Sequence, residues 1–244
     1  MLKIVLILLL LSGLANTSRA QPLLEKDYFK TVEGELEITF IGHGTLILVF
    51  QDKVIHIDPW SNLADYHLLP QADIILITHE HTDHLDLKVI ELISKEDTVI
   101  VLTEVCQEKV GSGLVMKNGD TQMVKDVKIT AVPAYNIQHK RDNGQPFHPR
   151  GQGNGYVLNF ADLTLYIAGD TENIPEMADL KDIDIAFLPM NLPYTMTPEM
   201  VAQAAKVIKP KILYPYHFGN IDTNQLIKLL ENQKDIEVRI RKMS

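Results

Sequence analysis

The chain has one cysteine, Cys106, and one tryptophan, Trp60, among 244 residues. A lone cysteine closes no internal disulfide, so Cys106 reads as a small buried apolar side chain rather than a nucleophile. Positive charge is also scarce. Lys and Arg number 23 against 32 Asp and Glu, a net charge of −9 at pH 7. Phosphate contacts need a basic surface, so nucleic acid is not expected as a partner. "GHGT" lacks the serine between glycines that a nucleophile elbow requires. No internal repeat and no low-complexity stretch is present, and the 45% apolar and 23% charged composition suits an ordinary globular domain.

What the chain does have begins with "MLKIVLILLLLSGLANTSRA". A basic start, a short apolar core and the small-x-small end Ser18-Arg19-Ala20 predict a secretory signal over residues 1–20. The apolar run is too short to span a bilayer. No cysteine lies near the cleavage site, so a lipid-modified N-terminus is not expected. The expectation is an exported protein, periplasmic or secreted, with no stable membrane anchor after cleavage. Residues 21–244 are read as a single domain.

After a polar lead from Gln21 to Gly34, "LEITFIG", "TLILVF" and "KVIHID" read as strands, the last two joined by a hairpin turn at "QDK". "ADIILIT" and "TVIVLT" read as buried strands around a helix in "LDLKVIELIS", and a short helix is expected from Glu104. "VKITAV", "GYVLNF", "LTLYIAG" and "IDIAFLP" give four more strands, with a polar loop from Asn136 to Asn154 between the first two. Thr197 with Pro198 and Glu199 starts a helix, "ILYPY" is a strand, Asp222 or Thr223 caps a helix, and "IEVRI" closes the chain. Strands with interleaved helices in two halves predict two packed sheets with helices outside.

Chemistry concentrates in "THEHTDH", directly after the apolar "ADIILI". Residues two apart on extended backbone share a face, so His79 and His81 can meet one ion. The turn at Asp83 and His84 can aim those two at a second. Imidazole with carboxylate suits zinc, with manganese or iron as alternatives. Asp170 in "YIAGDTE" and His217 in "YPYHFGN" also follow strands. A carboxylate can bridge two cations, and cations about 3.5–4 Å apart can activate one water.

"HEHTDH" matches the HxHxDH signature of the metallo-β-lactamase superfamily, and "GDT" and "YPYHFG" match its later motifs in order. "FIGHGTLILV" with "HIDPW" resembles the branch of ascorbate-phosphate lactonases and N-acyl phosphatidylethanolamine phospholipase D. The resemblance covers roughly Leu36 to the C-terminus. It implies an αββα sandwich of two mixed β-sheets flanked by helices, in the α+β class, and hydrolysis by a metal-bound hydroxide. It assigns His79 and His81 to a first metal, Asp83, His84 and His217 to a second, and Asp170 to both. Asp83 and Asp170 are the expected catalytic carboxylates. Asp58 would orient a ligand imidazole from outside, and His43 would lie near the site. No residue is assigned to an organic cofactor.

One motif departs from the pattern. Where the branch reads Pro-Ala-x-His, this chain reads Pro133-Ala134-Tyr135-Asn136. His148, in "FHPRGQGNGY", is the expected replacement ligand, helped by close backbone approach at Gly151, Gly153 and Gly155, with His139 as second candidate. Lys140, Arg141 and Arg150 in the same loop are candidates to receive an anionic substrate group. Tyr135 and Tyr194 are candidate oxyanion donors, and Trp60 is expected to pack below the site. The function expected is metal-dependent hydrolysis of an ester, lactone, amide or phosphodiester in a small or lipid-like substrate, using two divalent ions. Two alternatives are a phosphodiesterase for lipids or nucleotides and a non-catalytic metal-binding envelope protein.

Overall fold

The computed structural model describes residues 24–244. The segment read as a signal, residues 1–20, lies outside them.

β1 (Glu25–Thr31), β2 (Gly34–Gly42), β3 (Thr45–Phe50) and β4 (Lys53–Ile57) pair antiparallel in chain order. The turn from β3 to β4 is Gln51-Asp52, both left-handed at φ 48° and 63°, as a two-residue hairpin loop needs to match strand twist. β5 (Ala72–Leu76), β6 (Ser94–Leu102) and β7 (Leu114–Val115) then add in parallel. Parallel neighbours need crossovers, which α1 (Leu87–Ile93) and α2 (Glu104–Val110) supply.

The second sheet repeats this wiring. β8 (Thr121–Val124), β9 (Val127–Ala134), β10 (Gly153–Phe160) and β11 (Leu163–Ile167) are antiparallel. β12 (Ile185–Pro189), β13 (Ile212–Tyr216) and β14 (Glu237–Val238) continue in parallel, with α3 (Pro198–Ile208) and α4 (Asn224–Leu230) as crossovers.

Alternation along β5 and its exit builds the layers. Ile74 and Leu76 enter the core shared with the second sheet, which also holds Leu46, Leu48, Tyr156 and Leu158. Ile75 and Ile77 point the other way and pack under Val89, Ile90, Ile93 and Cys106, as the period of two requires. Burial pushes the Cys106 thiol up to about 11, which keeps it protonated and inert. On the second sheet, α3 buries Val201, Ala205 and Ile208. The architecture is the αββα sandwich.

Two local readings change, and one open choice is narrowed. The polar lead contains β1, an edge strand whose side chains alternate between exposed and half-buried; with no apolar face, "EKDYFKT" carries no period-two signal. "IEVRI" pairs only over Glu237–Val238. At α4, Thr223 makes no side-chain cap bond, and Asp222 Oδ1 accepts from Asn224 N at 3.0 Å instead.

Candidate metal centre

The site residues follow strand ends. β5 runs into Thr78–His84, β11 leads to Asp170, β13 to His217 and β4 to Asp58, while the loop leaving β9 returns through His148 to β10. The exits are sharp: Asp58 and His217 have φ of 44° and 49°, and His43, between β2 and β3, has 51°. Such left-handed backbone costs about 1–3 kcal/mol per residue and persists where surrounding structure fixes it. Here His217 N donates to His43 O at 2.9 Å. Two glycines admit the close approach. A Cβ on Gly44 would lie 2.8 Å from His84 Cε1, and one on Gly169, at φ 64°, would lie 2.8 Å from Asn154 O.

The imidazoles share one arrangement. Thr78 Oγ1 donates to Asp58 Oδ2 at 2.6 Å, which leaves its oxygen to accept from His79 Nδ1 at 3.0 Å. Asp58 Oδ2 accepts from His84 Nδ1 at 2.8 Å. Asn136 donates through Nδ2 to Tyr194 O and Glu172, so its Oδ1 accepts from His148 Nδ1 at 2.6 Å and from His148 N at 2.9 Å. His217 Nδ1 faces the Asn191 side-chain amide at 3.1 Å. A proton fixed on Nδ1 leaves a bare lone pair on Nε2. In all four rings Nε2 is buried and has no hydrogen-bond partner, and neither has Asp170 Oδ1.

Those atoms converge. Asp170 Oδ2 lies 3.3 Å from His148 Nε2, 3.5 Å from His217 Nε2 and 3.9 Å from His79 Nε2. Asp170 Oδ1 lies 3.6 Å from His84 Nε2, and Asp83 Oδ2 lies 3.7 Å from His84 Nε2 and 3.6 Å from His217 Nε2. Most of these gaps are too long for hydrogen bonds. They suit neighbouring ligands of one tetrahedral ion, which sit about 3.3–3.6 Å apart when each is about 2.0–2.2 Å from the ion. Two groups emerge: His79, His81 and His148 on one side, and His43, Asp83, His84 and His217 on the other, with Asp170 against His79 and His84.

Electrostatics agree with an empty demand for positive charge. Burial raises the Asp170 carboxyl, but His217, His84 and His148 outweigh it and hold the group well below the usual carboxylate range. Burial lowers His84, but Asp170, Asp58 and Asp83 outweigh it and lift the ring to about 9. Burial and the neighbouring His84 push His79 well down.

The Beta-lactamase superfamily domain matches residues 37–217. A UPF0173 metal-dependent hydrolase of Koribacter versatilis is 35% identical over 203 residues, covering 75% of this chain and 84% of the relative. A protein from Parabacteroides distasonis, named as a metal-dependent hydrolase, has a crystal structure with TM-score 0.87 and 54% identity, covering 91% of this chain and all of that one. The chain belongs to the UPF0173 metal-dependent hydrolases of the metallo-β-lactamase superfamily. Igni18 of Ignicoccus hospitalis, titled a novel metallo hydrolase, shares the fold at TM-score 0.72 and 22% identity, over 86% of this chain and 96% of that chain.

All seven residues read from the sequence as ligands of this UPF0173 chain, His79, His81, Asp83, His84, His148, Asp170 and His217, therefore meet in one place. Others do not. His139 turns away, its Nδ1 2.9 Å from Glu172 Oε1. Tyr135 donates to Glu176 at 2.9 Å, and Arg150 pairs with the same carboxylate at 2.6 Å, so neither lines the open cleft of about 510 Å³ above the cluster. Lys140 does not line it either, whereas Arg141 and Tyr194 do. Of the three loop glycines, Gly153 and Gly155 pack closely, with an added Cβ 3.1 Å from Ala134 O and 2.9 Å from Ala168 O, while Gly151 sits in open space at φ 84°. Trp60 packs against His43 at a tilt, with ring centroids 5.2 Å apart and planes at 50°.

Sequence reasoning missed Glu172. Its buried carboxylate accepts from the N–H groups of Ile137, Gln138 and His139 at 2.8, 2.8 and 2.6 Å. It thereby pins the start of the loop that carries His148. The signal was present in "GDTE", where an acid follows two residues after the site aspartate with no strand partner to explain it.

Proposed function

We infer that this chain is a hydrolase using two divalent ions, zinc foremost, to cleave an ester, lactone, amide or phosphodiester in a small or lipid-like substrate. The observation that carries it is the set of four buried Nε2 atoms, each bare, three with the opposite ring nitrogen's proton fixed by an acceptor, gathered around Asp170. The lone pairs so directed and the two carboxylates repel one another unless cations lie between them.

His79, His81 and His148 would hold the first ion and Asp83, His84 and His217 the second, with Asp170 shared. Asn136 is then not a failed ligand but the support of the ligand that replaces it. When bound, such ions polarise the oxygen under attack and bring the pKa of water from about 16 towards about 7. The protein's own groups do the rest. Asp170 orients the attacking water. Asp83, the other catalytic carboxylate, lines the cleft with its Oδ2 held by His43 Nε2 at 3.0 Å, and it would complete the second ion's ligand set. The cleft leaves room for an extended substrate, which suits the likeness to lactonase and phospholipase motifs.

The test is elemental analysis of purified protein, then chelation, reloading with zinc, manganese or iron, and a screen of aryl esters, lactones and aryl phosphodiesters. Two ions per chain and activity that vanishes on chelation and returns on reloading are expected. Full activity after demetallation overturns the reading. Two bound ions with no turnover across the screen favours the metal-binding envelope protein.

A further inference from the structure

Two cations face the cleft without a carboxylate partner. Arg141 Nη2 contacts only Phe147 O and His81 Nε2, each at 3.3 Å, and its guanidinium lies 5.1 Å over the Phe147 ring. Lys109 Nζ donates to the backbone oxygen of Glu80 at 2.8 Å. Both line the cleft. Elsewhere in this acidic chain, cations such as Lys26, Lys125, Arg150 and Arg241 are paired with carboxylates.

The placement of Arg141 is the informative part. Its guanidinium rests on a ring nitrogen of His81, one of the residues that would hold the first ion. A cation there and a dication beside it repel, and an anion lying between them removes the conflict. Guanidinium is also the side chain whose fork matches carboxylate and phosphate oxygens. Phe147 continues the surface as an apolar wall, with Tyr194 edge-on at 5.1 Å. Glu80 is the acid that lines the cleft outside the cluster, and the side chains of Lys109 and Arg141 outnumber it.

We propose that Arg141 and Lys109 form an anion-recognition subsite beside the metal cluster, so that the substrate carries a carboxylate or phosphate group next to an apolar part lying on Phe147 and Tyr194. The proposal rests on the hydrolase reading above and adds the class of substrate.

The experiment uses zinc-reloaded protein whose metal content is measured first. Calorimetric titration with phenylphosphonate, phenylacetate and neutral benzamide then reads the affinities. At least one anion should bind about ten-fold or more tightly than benzamide, as a charge-assisted bidentate contact implies. Arg141→Gln should lose about ten-fold or more of that affinity with zinc content unchanged, and Lys109→Gln should lose less. The tighter of the two anions distinguishes a phosphate from a carboxylate substrate. Benzamide binding as tightly as both anions overturns the proposal. So does an Arg141→Gln protein that keeps its zinc and binds the anion like wild type, since the ions alone would then do the binding. Failure to take up zinc is a different result: it removes the hydrolase reading first and the subsite with it.

Discussion

Among the described residues, a half-buried ionic cluster and the buried His/Asp centre are built oppositely. At one, Asp27 of β1 accepts from Arg241 Nη2 on both oxygens at 2.7 Å and from the Tyr214 hydroxyl. Arg239 adds a contact to Tyr214 at 3.3 Å and pairs with Glu237 at 2.7 and 3.0 Å. None of its buried side-chain atoms lacks a partner. At the other, the His/Asp centre, five buried atoms have no partner and aim at shared space. The first cluster is complete as folded and ties the edge strand to the C-terminal tail. The second is complete only with a guest. The teaching is that clustered charge alone does not mark a ligand site; the accounting of unpartnered atoms does.

The comparison predicts a double dissociation. Asp170→Asn should produce the largest effect: loss of metal beyond the about 10–100-fold that removing an outer-shell partner costs, with the metal-free protein melting no lower than wild type. Equilibrium dialysis with zinc and a thermal melt in chelator measure the two. A metal-free melt lowered by several degrees would mean that Asp170 is structural and the contrast false. Next in size, Asn136→Ala should weaken metal binding about 10–100-fold, because His148 Nδ1 loses the acceptor that aims Nε2. Unchanged metal affinity would mean that Asn136 does not aim the His148 ring.

The fold and the centre were legible to different degrees. Runs such as "ADIILIT" announce a strand because both faces are buried, and alternate residues then serve two different cores. β1 was illegible because its half-buried positions, Glu25, Asp27, Phe29 and Thr31, are not an apolar set, so burial alternates while residue type does not. The residues that meet at the centre were legible because His and Asp at strand ends have few packing roles. The supports were not: Asn136, Asn191 and Glu172 act through hydrogen bonds across 12 to 35 residues of sequence, and residue type alone does not say what an amide or a carboxylate holds. The fates of Arg141 and Arg150 were equally closed to sequence. They lie nine positions apart in one loop, and only the fold sends one into the cleft and the other to Glu176.

The complete cluster yields the pH prediction. Burial raises the Asp27 carboxyl, but hydrogen bonds from Arg241 and Tyr214 and the two arginine charges outweigh it, so its pKa is lowered from 3.8. A carboxyl depressed on folding stabilises the fold above its unfolded value, and that contribution fades as pH falls below 3.8 through the lower folded value. Asp27→Asn should therefore cost about 2–3 kcal/mol near neutrality, by leaving Arg241 without its charge partner, and the deficit should shrink in acid. Metal stoichiometry should stay at the wild-type level. Denaturant melts from pH 7 to pH 3 check the sign; a deficit that grows in acid refutes it.

The smallest effect belongs to Arg150, and it sharpens the contrast from outside both clusters. Its side chain is 71% exposed, pairs with Glu176 and lies over the Tyr135 ring at 5.2 Å. An exposed pair gains little because water screens it. Arg150→Ala should change stability by about 0.5 kcal/mol or less, and should leave zinc content and phenylphosphonate affinity at wild-type values. Arg141→Gln, in the same loop and with the same loss of charge, should leave stability and zinc alone while cutting anion affinity. If the two variants instead weaken anion binding equally, general surface charge rather than position is at work, and the assignment of roles within this loop by geometry fails.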